Sequence, residues 1–249
     1  MIRKSPDLTM SETMSFFDAV ESRRSVRIFD QETPFDHDLI KKALEAAILS
    51  PNSSNLQLYQ FIRVPESSSL KDQLAELCMR QKAATTAREL VVVVTRRDLW
   101  KSRAAANYEY IKSATQNQSE KKKKQALSYY GNLIPKLYSK FPGWTLVKKL
   151  IAFTVGLKRP MVREVGETEV RISVHKSAAL AAMTFMLGVK AVGYDTCPME
   201  GFDSKRVKKL LNLTSGSEIC MIIGCGKGLP EGIYGERFRV ESELLISEK

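Results

Sequence analysis

Hydrophobic and polar positions along this chain fall into distinct periods. Leu39, Ile40, Ala43, Leu44, Ala47 and Ile48 recur at helical spacing. A helix is therefore expected over 38–49, capped by Asp36 or Asp38 and closed by Pro51. Val91 to Val94 is an unbroken β-branched run, the mark of a strand buried on both faces. Tyr59 to Val64 and Glu218 to Gly224 read as further strands, with a short one between Val189 and Cys197. Helices are expected over 15–21 and over 67–80, where Leu70, Leu74 and Leu77 share a face. Two more are expected over 171–187, Ala- and Met-rich and the most buried, and over 204–211. The first helix should lead into an Arg-rich strand start, and residues 226–249 read as an extended polar tail. The elements alternate without the regular spacing of a βαβ array. The expected fold class is α+β, a mixed central sheet packed by helices.

The pattern changes near Asp98. Residues 98–163 read as mainly helical, with Tyr108, Tyr110, Tyr129, Tyr130 and Tyr138 interleaved among lysines. Lys121 to Lys124 reads as an exposed helix face or turn. Leu146 to Leu157 is apolar and flanked by lysines, a pattern that suits packing on a partner subunit better than lying on a membrane surface. The whole chain of 249 residues carries a net charge of +11, but residues 96–163 hold 16 Lys/Arg and 3 Asp/Glu, an excess of 13. The remainder is close to neutral, at −2, so the basic character belongs to this segment and not to the fold.

Candidate chemistry concentrates in two places. Arg23-Arg24-Ser25-Val26-Arg27 puts three guanidiniums and a hydroxyl into five positions. In an extended chain Arg23, Ser25 and Arg27 share a side, a donor set that suits one phosphate group. The same run also suits a solvated basic patch. The second place is Ser50-Pro51-Asn52-Ser53-Ser54-Asn55-Leu56-Gln57, small polar side chains rich in donors and acceptors, between a helix and an aromatic strand. Such residues are also those of an ordinary loop.

Several classes are disfavoured. Gly224-Cys225-Gly226-Lys227-Gly228 is glycine-rich, but no helix is expected after it, against a Rossmann or P-loop site. His37 and His175 have no Ser or Cys partner at a recognisable spacing, against a triad. Cys78, Cys197, Cys220 and Cys225 form no Cys-x-x-Cys pair, against structural zinc, and read as reduced thiols. No apolar run approaches the roughly 20 residues of a bilayer span, and residues 1–9 lack the apolar core of a secretory signal. A cytoplasmic location is the expectation.

Together these segments resemble the nitroreductase family of FMN-dependent oxidoreductases. The resemblance rests on Arg-Arg-Ser-x-Arg-x-Phe from Arg23, and on the helix ending in Ser-Pro-x-Ser-x-Asn-x-Gln from Ser50. It continues through Gly193 to Asp203, which follows Gly-x-x-x-x-Pro-x-x-Gly-Phe-Asp, the strand Glu218 to Gly226, and Arg237-Phe238-Arg239. The landmarks come in family order and leave the middle of the chain unmatched. They imply one nitroreductase-like domain over 1–249, with a basic helical insertion at about 98–163.

The resemblance also implies a homodimer with FMN at its interface. Arg23, Ser25 and Arg239 would hold the phosphate, assisted by Arg237, with Arg24 a further cofactor-binding residue. Arg27, where lysine is common, would stand near flavin N1/O2. Pro51, Asn52, Ser53 and Asn55 would line the flavin from the other subunit, with Gln57 nearby. Asn52, Leu58 and Tyr59 replace the commoner serine, proline and tryptophan. Gln81 would read the O4/N3 edge. Pro198, Glu200 and Gly201 would lie on the opposite edge, with a backbone N–H toward N5 and Glu200 as a positioning residue. No dedicated catalytic side chain is implied. NADH or NADPH would supply hydride in a ping-pong reaction to a nitroaromatic, a quinone or another flat electrophile. Dehalogenation, flavin fragmentation, or a non-catalytic module docking through its basic insertion are the alternatives, and nucleic acid is disfavoured for want of a motif.

Overall fold

The computed structural model describes residues 14–113 and 119–249. The reading of residues 1–9 lies outside the described residues. Four strands form one sheet in the order β1-β2-β4-β3: β1 (Tyr59–Pro65), β2 (Glu89–Arg96), β3 (Asp195–Met199) and β4 (Ser217–Gly226). Each pairing between strands is antiparallel. Among the described residues, the parallel component of the expected mixed sheet is a single bridge, Ser25 to Thr196. The Arg-rich segment thus touches the sheet edge without becoming a strand, because its other backbone groups turn to the C-terminal tail.

The valine run of β2 serves both faces of the sheet. Leu90, Val92 and Val94 enter one core, with α3 (Lys71–Leu77), α4 (Lys82–Thr85) and α10 (Ser204–Leu210). Val91 and Val93 enter the other, beneath α2 (His37–Ala47) and α9 (Glu167–Ala191). Asp36 caps α2 through the Asp38 N–H at 2.8 Å, a contact worth about 1 kcal/mol. A short helix, α1 (Phe16–Ser22), starts at Ser15, whose hydroxyl accepts from the Asp18 N–H. Helix α3 is shorter than its leucine pattern predicts: Met79 and Arg80 take left-handed backbone angles just beyond it and turn the chain.

Between β2 and α9 the described residues form four helices: α5 (Trp100–Ser113), α6 (Glu120–Ser128), α7 (Ile134–Tyr138) and α8 (Trp144–Gly156). A turn of π-helix over Tyr129–Leu133 joins α6 to α7. A third core seats this segment on the body of the protein through Leu56, Leu58, Ala104, Ile134, Tyr138, Val170 and Val174. By length and composition α9 resembles a membrane span, yet its Ala178, Ala181, Ala182 and Phe185 lie at full burial under the sheet.

Candidate active site

Two adjoining hollows lie where the beginning of the described chain meets its end. Residues 23–30 run between β3 and the tail. Val26 N donates to Thr196 O at 3.1 Å, then Arg27 N to Gly232 O at 2.9 Å and Asp30 N to Lys227 O at 2.8 Å. Leu229 N returns a bond to Ile28 O at 3.0 Å. Any side chain at Gly232 would put its Cβ 2.6 Å from Ile28 N, so glycine is what lets the tail come this close.

This threading gathers the predicted arginines. Arg23, Arg24, Ser25, Arg27, Arg237 and Arg239 border a hollow of about 180 Å³, with Glu236 on its rim. Arg237 Nη2 donates to Arg23 O at 2.5 Å and Arg24 Nη2 to Gly235 O at 2.8 Å, so main-chain carbonyls fix the geometry. Among the described residues no ion pair engages any of the five arginines. Burial, followed by the charges of Arg237, Arg239 and Arg24, pulls the Arg23 guanidinium below its ordinary pKa. Cations that repel one another around an open hollow favour an anion in it.

The second hollow, about 380 Å³, shares Ser25, Arg27 and Tyr234 with the first. Gln81, Lys82, Pro198, Met199 and Glu200 complete its walls, with Cys197 and Ala83. Arg27 stands at the junction. Its Nη1 donates to Ser25 O at 3.1 Å, and its guanidinium lies 4.7 Å from the centre of the Tyr234 ring. Gln81 Nε2 donates to Gly201 O at 2.7 Å and Cys78 O at 3.0 Å. Gln81 therefore fixes the 198–201 segment and keeps its amide oxygen available. Burial raises the Cys197 thiol pKa against the pull of Arg27 and Arg23, which leaves a neutral wall rather than a nucleophile.

The loop after α2 borders neither hollow. Ser54, Asn55 and Gln57 have φ of 56°, 48° and 49°, a conformation that needs outside support in residues other than glycine. Asn52 Oδ1 accepts from Gln57 N at 2.8 Å, and Ser177 Oγ accepts from Ser53 N at 3.1 Å. Asn55 and Asn107 exchange two bonds of 3.0 Å. Tyr130 donates to Ser54 O at 2.9 Å, and the Tyr129 hydroxyl lies 2.6 Å from Ser54 Oγ. The π-turn brings both neighbouring tyrosines onto one serine. Pro51, Ser53, Asn55 and Gln57 remain exposed.

A larger cavity of about 410 Å³ lies at the foot of the helical segment, lined in part by Arg97, Trp100, Tyr138 and Lys140. Size does not make it the better site, because two of its three cations, Arg97 and Lys140, are paired with Glu167, and the third, Lys101, lies over the Trp100 ring. The histidines are structural. His37 Nδ1 and Arg63 Nε lie 2.6 and 2.5 Å from Glu89, which is fully buried, and His175 Nε2 lies 3.2 Å from Glu218. Sequence reasoning missed Tyr234, Lys82, Cys197 and Met199 in the hollows, and Asn107, Tyr129 and Tyr130 behind the loop. Tyr234 shares the tail with Phe238 and several aliphatic residues, so neither it nor the others have a local signature.

The sequence pattern of the nitroreductase family matches residues 20–227. The DrgA protein of Synechocystis is 28% identical over 214 residues, 86% of this chain and 84% of its own. MhqN of Bacillus subtilis, whose name places it among the NAD(P)H nitroreductases, is 26% identical over 215 residues, 85% of this chain and 88% of its own. Among solved structures, ydfN of Bacillus subtilis superposes with a TM-score of 0.71 at 25% identity, covering 97% of this chain and 100% of that one. A protein from Exiguobacterium sibiricum, solved in complex with FMN, gives a TM-score of 0.64 at 19% identity, with 97% and 100% covered.

Proposed function

Because this chain belongs to the nitroreductase family, we propose that it is an FMN-dependent NAD(P)H oxidoreductase that reduces nitroaromatics, quinones or similar flat electrophiles in ping-pong order. One observation carries the reading. The arginines, without carboxylate partners among the described residues, surround a small hollow that adjoins, at Arg27, a larger one. That shape fits a phosphate on a short arm leading to a flat ring. Charge-assisted bonds from several guanidiniums suit a phosphate dianion.

FMN, when bound, supplies a ring that accepts and returns a hydride. The chain's own residues bind and orient it. Arg23, Arg24 and Ser25 take the phosphate, with Arg239 beside them and Arg237 bracing Arg23. Arg27, held by Ser25 O and Tyr234, presents fixed positive charge where a reduced ring gathers electrons, which stabilises that state. Pro198, Glu200 and Gly201 face the ring from the end of β3, with Gln81 setting their position. No side chain is required to act as acid, base or nucleophile.

The loop 51–57 reaches the ring of a partner subunit in this reading. Two features support that assignment: the loop is exposed and away from its own chain's hollows, and apolar Ile48 and Leu49 beside it, with Leu180 and Met183 on α9, face outward. The homodimer therefore completes each site. The test is an absorption spectrum of the purified protein before and after anaerobic NADPH and NADH. A yellow protein that bleaches with either donor and is reoxidised by a quinone or nitroaromatic supports the proposal. A colourless protein that cannot be reconstituted with FMN overturns it.

A further inference from the structure

Helix α8 is packed inside out. The residues it buries are Lys148 and Ala152. Lys148 is 7% exposed, its Nζ donating to Leu137 O at 3.0 Å and lying 3.5 Å from Glu167 Oε1. The apolar residues face the other way. Leu146, Leu150, Phe153 and Leu157 are 73%, 60%, 57% and 71% exposed. Spaced by four, three and four positions, they form a single stripe, which Val147 and Ile151 widen. A soluble helix normally presents the opposite faces to core and water.

The segment that carries this stripe is basic, although Glu164 follows it and Glu169 comes close to Lys149 beside Gly166. From Lys121 to Arg163 the chain has eleven Lys/Arg and neither Asp nor Glu. Lys149, Lys158 and Arg159 are exposed on and just after the helix. A second copy meeting this helix with its own α8 is a poor occupant, since that contact would join two basic segments. Nucleic acid would engage the lysines and leave the stripe wet. An anionic bilayer takes both, with apolar side chains in the acyl boundary and ammonium groups among the phosphates.

We propose that α8 docks this protein on an anionic lipid bilayer, with Leu146, Leu150, Phe153 and Leu157 entering the interface and Lys149, Lys158 and Arg159 engaging lipid phosphates. The sequence pattern alone favours a partner subunit as the cover for this stretch; the inverted burial of Lys148 and the basic excess around it move the choice to lipid.

The experiment is flotation of the FMN-loaded protein with vesicles of phosphatidylglycerol and phosphatidylcholine in equal parts, against phosphatidylcholine alone. Binding is expected only to the first, weakening about fivefold for each exposed lysine neutralised. The double variant Leu150→Glu/Phe153→Glu is expected to lose at least tenfold in affinity while keeping its FMN content and melting temperature. Should that variant fold poorly, quenching by brominated lipid of a Leu157→Trp variant, beyond that of the parent, decides, since Leu157 lies on the stripe and is 71% exposed. Quenching is expected, and its absence overturns the proposal. So does failure to float with the anionic vesicles, or flotation indifferent to the double variant. A change of oligomeric state in the variant, or duplex DNA bound as tightly by both forms, would assign the face to protein or nucleic acid instead.

Discussion

Replacing Arg23 by methionine separates a phosphate clamp from a structural arginine. Methionine keeps an unbranched apolar stem and the backbone carbonyl that accepts from Arg237, so the change removes mainly the guanidinium. A hydrogen bond to a charged group contributes roughly 1.5–3 kcal/mol, so FMN affinity should fall about 10- to 150-fold. With FMN at about 100 times the original dissociation constant, the cofactor stabilises the fold by about 2.7 kcal/mol. A hundredfold loss of affinity leaves about 0.4 kcal/mol of that, and the loaded protein should melt roughly 5–9 °C lower. Without cofactor the sign reverses or vanishes. Arg23 is held among Arg24, Arg237 and Arg239, whose charges oppose its own, so the empty variant should melt no lower than the empty parent. Fluorescence titration with FMN and paired melts of empty and loaded protein measure both. If the empty variant falls as far as the loaded one, Arg23 supports the fold and the clamp argument fails.

Three further outcomes are expected. Arg27→Met should retain FMN but lower its two-electron potential, by about 30 mV if the lost charge is worth about 1.4 kcal/mol; spectroelectrochemistry checks this, and an unchanged potential removes the electronic role. Glu89→Gln leaves Arg63 without its buried counter-ion and should cost about 3–5 kcal/mol in urea unfolding, a loss under about 1 kcal/mol being evidence against that pairing. Glu167 is pushed up by burial, but Arg97 and Lys140 prevail and hold it below its ordinary value of 4.5. Its stabilisation is thus full above that value and lost as pH falls through the lower, folded one, so the stability gap between parent and Glu167→Gln should be open at neutral pH and close in acid, as melts across that range would show.

Much of the fold was legible because its signals are local. The valine run of β2 and the apolar spacing of α2 each identify their element without outside information. The arginine clamp was half legible. Guanidiniums at 23, 24, 27, 237 and 239 are visible in sequence, but their convergence depends on a tail that binds residues 27–30 through main-chain atoms, and main-chain bonds leave no residue code. The loop at 51–57 shows its polar residues but not its left-handed turns, which Asn107, Tyr129 and Tyr130 support from a distant segment. Helix α8 misleads for the same reason. Its apolar stretch predicts burial, whereas Lys148 is drawn inward by Leu137 O and Glu167, groups that only the tertiary fold brings near.

The clamp's two halves also set a clock. Arg237 follows Arg23 by 214 residues, so the hollow between them has no second wall until that much more chain has been made. At about 5–20 residues per second, translation alone separates the two arginines by roughly 10–40 s. Through that interval the sheet can begin to pair while, on the proposed assignment, the phosphate has nowhere to settle. Cofactor capture is thus a late event in the birth of the protein. Cells short of FMN would accumulate a complete but empty chain, not a stalled one, which flavin supplied afterwards could still convert.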